Sequence, residues 1–174
     1  PSHQYPLGGI LPVQRRQALI AFAREADCVI VEDDYDSEFR YTGAPVSSLY
    51  ELSPGNVAYL GSFSKLPAPA LRLGFALIPE SMTEAWEQAK KYMDVHSDAL
   101  SQYALARFIN SGGLERHIWK MRKLYKRKRA CLVQCLEEAF GDTFAIRGEA
   151  AGLHVVAGFP GVVFSDELIR ELRE

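Results

Sequence analysis

Apolar positions along the chain alternate between short continuous runs, typical of buried strands, and longer stretches at helical spacing. Pro1 to Pro12 is rich in Pro and Gly and predicts loop, after which Gln17 to Ala26 has helical character. Cys28-Val29-Ile30-Val31 is a short β-branched run of the kind found in a sheet covered on both faces, and acidic residues begin at its carboxyl end. A loop containing Gly43, Pro45, Pro54 and Gly55 leads to a second strand at Val57-Ala58-Tyr59-Leu60. Leu73-Gly74-Phe75-Ala76-Leu77-Ile78 predicts a third, stopped by Pro79.

Helical signals dominate the second half. Ser81 is placed to cap a helix running to about Val95, with Glu84 three residues on as in a capping box, and a further helix covers Asp98 to Asn110. Gly112-Gly113 breaks it. Leu114, Ile118, Met121, Tyr125, Leu132, Leu136 and Ala139 then recur near helical spacing for about seven turns. Thr143 to Arg147 and Leu153 to Ala157 predict strands of a smaller layer, followed by a helix from near Ser165. The expected class is α/β: part of a large domain over residues 1–112, then a linking helix and part of a small domain over 113–174.

A chain of 174 residues, 48% hydrophobic, can bury one sizeable core. Twenty basic against 22 acidic residues give a net charge of -2, which leaves no global attraction to nucleic acid or membrane surfaces. Cys28, Cys131 and Cys135 have neither zinc-site nor disulfide-framework spacing and are expected to be reduced core thiols in a cytoplasmic protein. No apolar run is long enough to span a bilayer, and the first residues lack the charged and apolar regions of a signal peptide. The start at Pro1 and the helix-like end at Leu168 to Glu174 suggest an excised piece of a longer protein.

Chemistry concentrates in two runs. In Glu32-Asp33-Asp34-Tyr35-Asp36-Ser37-Glu38, five carboxylates fall within seven residues. Taken alone, such a run is most simply a solvated loop with one or two helix caps. Asp34 and Asp36 also resemble a strand-end aspartate pair that holds magnesium, but nothing downstream supplies the remaining parts, and no metal is expected. The second run, Gly61-Ser62-Phe63-Ser64-Lys65, ends a strand, with Arg72 seven positions beyond the lysine. If the two strands are parallel neighbours, Asp33 and Lys65 reach the same sheet edge, where ligands of open α/β sheets bind.

These residues resemble the fold type I pyridoxal-phosphate enzymes, and more closely the aminotransferase-like effector domains of MocR-type regulators in the GntR superfamily. The resemblance is carried by Pro1-Ser2-His3-Gln4-Tyr5-Pro6, by the run from Val31 to Tyr41, and by Gly61 to Lys65 with Leu71-Arg72. Ser111-Gly112-Gly113 leading into His117 and Met121, and Ala151-Gly152-Leu153-His154, add to it. It implies pyridoxal 5'-phosphate as cofactor, joined to Lys65 as a Schiff base. Asp33 would pair with the ring nitrogen and keep it protonated, and Tyr35 would donate to the phenolic oxygen. Arg72 would hold the phosphate, with hydroxyl donors from Ser62 and Ser64. His3 or Gln4 would supply a polar contact to the ring, whereas Asp34, Asp36, Glu38, His117 and His154 are expected to be structural. The basic run Lys120, Arg122, Lys123 and Lys126 to Arg129 is expected to be a solvated helix face, with DNA phosphates or a DNA-binding domain as the alternative contact.

The resemblance also implies that a phosphate-cradling turn precedes this segment and that a carboxylate-gripping arginine follows it. The chain alone is therefore expected to bind cofactor weakly and not to turn over. The implied parent is a homodimeric transcriptional regulator, answering to a small amine, amino acid or cofactor vitamer and bound to DNA through a winged-helix domain absent from this chain. A free aminotransferase acting between amino acids and 2-oxo acids is the alternative. No membrane partner is expected.

Overall fold

Two of the predicted strand runs pair in parallel, and the remaining elements are arranged around that pair. In the computed structural model, which describes residues 4–43, 46–148 and 151–173, strand β1 (Ile30–Asp34) lies beside β2 (Val57–Ser62). Asp33 stands opposite Leu60 and Asp34 opposite Gly61. Strand β3 (Gly74–Leu77) runs antiparallel along the other side of β2, with Ser62 opposite Gly74.

β1 starts two residues later than the apolar run suggests and takes in three carboxylates. A carboxylate inside a strand is tolerable only if it is satisfied, and Glu32 is: it is 3% exposed and accepts from the backbone N–H groups of Leu49 and Tyr50, both at 3.0 Å. Those donors open the one-turn helix α2 (Leu49–Leu52), so a buried anion sits where a helix leaves N–H groups unpaired. Helix α1 (Val13–Glu25) buries a stripe at Arg16, Ile20 and Ala23, and Ile20 joins Leu49 and Val57 in the core. Burial of each such apolar side chain is worth about 1.5–3 kcal/mol. Only one face of β1 is covered this way. Val31 is 64% exposed and Asp33 is exposed on the same side, so the expectation of a sheet covered on both faces fails for this strand.

The predicted cap at Ser81 also fails. Glu80–Met82 forms a 3-10 turn, and helix α3 (Thr83–Met93) follows with no side-chain cap, because Pro79 sets a tight turn before the helix can start. Helix α4 (Ala99–Asn110) is capped by Asp98, which accepts from the N–H groups of Leu100 and Ser101 at 3.2 and 3.1 Å. Gly112 then takes the left-handed conformation at φ 66°, and a Cβ on Gly113 would come within 2.5 Å of the Phe108 ring. This turn launches the long helix α5 (Gly113–Phe140) of 28 residues.

α5 is tied back to the sheet edge at three places. His117 Nε2 donates to the carbonyl of Leu66 at 2.9 Å, Arg122 donates twice to the carbonyl of Glu38, and Tyr125 meets Phe39 edge-on at 5.3 Å. Beyond it, β4 (Ala145–Arg147) and β5 (Val156–Gly158) pair antiparallel, and α6 (Asp166–Glu171) is capped by Ser165. The cysteines are not core thiols: all three are exposed, Cys131 and Cys135 because they stand one turn apart on the solvent side of α5. No helix among the described residues is long and apolar enough to cross a membrane.

Candidate functional site

The face of β1 left uncovered by the core lines an open cleft of about 960 Å³. Asp33 and Tyr35 form one wall, and the other is built from Gln4, Tyr5 and the start of α1 at Arg15, Ala18 and Leu19. Strand alternation puts Asp33 and Tyr35 on one side and Glu32, Asp34 and Asp36 on the other. Each of the latter three is engaged by protein donors: Asp34 accepts from the Ser37 N–H at 3.2 Å and from the Tyr59 hydroxyl at 2.8 Å, and Asp36 accepts from the Leu153 N–H at 3.2 Å. Of five carboxylates, Asp33 is the one presented to the cleft. Burial raises the Tyr35 hydroxyl above its ordinary pKa, with the charges of Asp36, Tyr5 and Asp33 acting in the same direction, so it stays a proton donor.

On the neighbouring strand, Ser62, Ser64, Lys65 and Arg72 gather at one turn. The Phe63 N–H donates to the Leu73 carbonyl at 3.0 Å, one step beyond the Ser62–Gly74 pair, so the residues on either side, Ser62, Ser64 and Arg72, flank a single bonded link. Ser62 Oγ accepts from the Ser64 N–H at 3.1 Å, which leaves its own O–H to donate outward. The Leu66 N–H closes on the Phe63 carbonyl at 3.2 Å, and the His117 bond to Leu66 fixes the far end of this turn. Arg72 itself is held at φ 50°, ψ 34°, a left-handed conformation that costs a non-glycine residue about 1 kcal/mol or more and that clusters at functional sites.

The parallel register therefore brings both runs to the carboxyl edge of β1 and β2. Asp33 and Tyr35 line the cleft; Ser62, Ser64, Lys65 and Arg72 stand at the adjacent strand end, outside its lining, with Lys65 and Arg72 exposed. Gln4 is in the cleft wall, while His3 lies outside the described residues. Both remaining histidines of the motifs are structural, His117 as described and His154 through a 2.9 Å bond to the Pro6 carbonyl.

The sequence reading missed Tyr5 and Arg16. Tyr5 faces the cleft and meets His154 edge-on at 5.1 Å; it stood beside His3 and Gln4 in the motif, but a tyrosine in a Pro-rich loop carries no periodic signal. Arg16 is 2% exposed and donates to the carbonyls of Leu11 and Ser47 at 2.7 and 2.5 Å, pinning the loop that forms the cleft wall. Arg16 lies one residue before the predicted helical stretch, which began at Gln17, and its charge argued against burial. The basic run of α5 is mostly solvated, with Lys123 stacked over the exposed Trp119 ring at 3.5 Å.

Comparison with known proteins places the fold. The family model "Aminotransferase class I and II" matches residues 2–174. The HTH-type transcriptional regulator YhdI of Bacillus subtilis is 45% identical over 157 residues, 90% of this chain and 34% of the regulator. The probable rhizopine catabolism regulatory protein MocR of Rhizobium meliloti is 34% identical over 171 residues, 98% of this chain and 35% of that protein. The chain thus spans about a third of the length of these relatives. Among solved structures, LysN, the alpha-aminoadipate aminotransferase of Thermus thermophilus complexed with N-(5'-phosphopyridoxyl)-L-leucine, superposes with a TM-score of 0.87 at 29% identity. The match covers 98% of this chain and 44% of LysN.

Proposed function

The chain belongs to the aminotransferase class I and II family, and from that membership we propose that it is the pyridoxal-phosphate-binding, aminotransferase-like effector part of a GntR/MocR-type DNA-binding regulator. The observation that carries the reading is the register of β1 against β2, which delivers Asp33 and Tyr35 on one strand and the Ser62–Arg72 turn on the next to a common edge.

The donor set fits the cofactor. When bound, pyridoxal phosphate supplies an electron-withdrawing ring and an aldehyde that condenses with amines. Asp33, which accepts from no donor among the described residues, holds a proton on the ring nitrogen. Tyr35 keeps its hydroxyl proton and donates it to the phenolic oxygen. The Lys65 amine is the attachment point. Arg72 and the hydroxyls of Ser62 and Ser64 bind the phosphate, the guanidinium by a planar fork matched to phosphate oxygens. The cleft of about 960 Å³ beside Asp33 and Tyr35 is large enough for a ring of this size, and Lys65 and Arg72 approach it from the adjacent strand end, outside its lining.

In this reading residues 1–112 belong to the large domain and 113–174 to the linking helix and small domain. The parent is a cytoplasmic homodimer answering to an amine, amino acid or vitamer and reaching DNA through a separate winged helix. Likeness to two regulators, one at 45% identity, supports this. A second reading, a free aminotransferase, is favoured by the superposition on LysN.

The test is borohydride reduction of the intact protein with pyridoxal phosphate, followed by peptide mapping. A phosphopyridoxyl group on Lys65, lost in Lys65→Ala, is expected; modification of another lysine, or none at saturating cofactor, overturns the assignment. Binding to DNA upstream of its own gene, measured by fluorescence anisotropy, separates regulator from enzyme: transamination with no DNA binding would select the second reading.

A further inference from the structure

A second cavity, of about 310 Å³, lies between the loop that follows β1 and helix α5. Its lining includes Ser37, Arg40, Tyr41, Thr42 and Arg122, two cations with three hydroxyls and no carboxylate. Arg122 is half engaged: its Nε and Nη2 donate to the Glu38 carbonyl at 2.9 and 2.6 Å, and Nη1 remains. Arg40 is the anomaly. Its Nε and Nη1 are buried from solvent and have no hydrogen-bond partner. Its Nη2 lies 2.9 Å from where a Cβ on Gly43 would sit, and Gly43 is left-handed at φ 77°, so the turn is shaped to pass around the guanidinium without a side chain in the way.

A buried guanidinium with unpaired N–H groups is costly, because water has been removed and nothing has replaced it. Neither nearby acid lines the cavity: Asp36 accepts from the Leu153 N–H, and Glu38, whose charge acts on Arg122, lies outside the lining, while the buried Nε and Nη1 of Arg40 are bonded to neither. A neutral water can satisfy one of these donors but cannot balance the guanidinium charge of Arg40. We propose that this cavity binds a compact oxyanion, a phosphate or carboxylate group, held by Arg40 and Arg122 with the hydroxyls of Thr42 and Ser37.

The position gives the site a consequence. One wall is the loop that continues from Asp33 and Tyr35; the other is α5 and Ala151, which bridges to Arg40 across the backbone. An anion bound here fastens the cleft wall to the long helix, and its occupancy is coupled to the packing of that helix on the sheet edge.

The experiment is calorimetric titration of the intact protein with inorganic phosphate and, separately, with acetate, in chloride at fixed ionic strength. It is run on wild type and on Arg72→Ala, which removes the arginine assigned above to the cofactor phosphate. Saturable binding of at least one anion is expected in both, the tighter of the two naming the class, and Arg40→Gln and Arg122→Gln should each weaken it by about tenfold or more. Failure of both anions to bind, binding unchanged in Arg40→Gln, or binding abolished by Arg72→Ala alone would each overturn the proposal. If circular dichroism shows that Arg40→Gln does not fold, Arg122→Gln and Thr42→Val decide the matter, since neither fills nor empties the buried guanidinium position. Unchanged affinity in both then counts against the site.

Discussion

The hydroxyl of Tyr59 donates to Asp34 Oδ2 at 2.8 Å, linking β2 to β1 one residue beyond the carboxylate that faces the cleft. Burial pushes the Tyr59 hydroxyl far above its ordinary value of 10.0, and the bond to Asp34 and its charge push it further. A hydroxyl whose pKa is raised on folding stabilises the fold fully below the unfolded value, and that stability is lost as pH rises toward the folded value. Alkaline titration followed by ultraviolet absorbance should therefore show one tyrosine that ionises only as the protein unfolds. In Tyr59→Phe that delayed step should vanish, with a loss of about 1 kcal/mol in urea unfolding at neutral pH. A Tyr59 that titrates in the ordinary range while the fold persists would refute the buried bond.

Glu32 provides a sharper stability test. Its two oxygens each take one backbone N–H at the start of α2, and the acid is buried. An amide can accept from one of these donors but presents its own N–H₂ to the other, so Glu32→Gln should cost about 1–3 kcal/mol. Glu32→Ala, which leaves both donors unpaired, should cost more. Urea unfolding at neutral pH measures both; a loss of less than a few tenths of a kcal/mol in Glu32→Gln would mean that water reaches the site.

Glu32 also shows where the sequence was legible and where it was not. The order of strands and helices followed from apolar spacing, and the long α5 was visible from its repeat and its opening glycines. Among five adjacent acids only the family resemblance singled out Asp33, because composition is blind to the side of the strand: pairing with β2 sends Asp33 to the cleft and Glu32 to the core. Burial of Arg16 and Glu32 is a tertiary outcome, set by carbonyls and N–H groups that come from distant segments, Ser47 and Leu49. Conversely, the exposure of Cys131 and Cys135 overrides their usual preference for the interior, since α5 buries few of its faces.

Gly61 stands opposite Asp34 and beneath the ring of Phe75, where a Cβ would come within 2.3 Å of ring carbon. Phe75 is itself packed between Phe63 and Tyr59, at 5.5 and 6.0 Å between ring centres. The ring cannot move away without disturbing the turn that carries Lys65. Gly61→Ala should lose about 1–3 kcal/mol by overpacking, and a second change, Phe75→Leu, should recover part of it. Additive losses in the double-mutant cycle would show that the two positions do not touch.

Arg72 ties stability to function in the opposite direction. Its left-handed backbone is strained for any residue with a Cβ and persists because the surrounding turn holds it. Arg72→Gly removes the strain, so the variant should unfold at equal or higher urea concentration, gaining up to about 1 kcal/mol. Arg72→Ala keeps the strain and should show no gain. Both remove the guanidinium assigned to the cofactor phosphate, and both should weaken pyridoxal-phosphate binding to the intact protein by about tenfold or more, since a charge-assisted bidentate contact is lost. Spectroscopic titration with the cofactor gives the affinity and urea unfolding gives the stability, so the two effects are read independently. Wild-type affinity in Arg72→Gly would remove Arg72 from the site whatever the stability result, and a loss of stability in the same variant would show that the guanidinium, not the backbone, holds this turn in place.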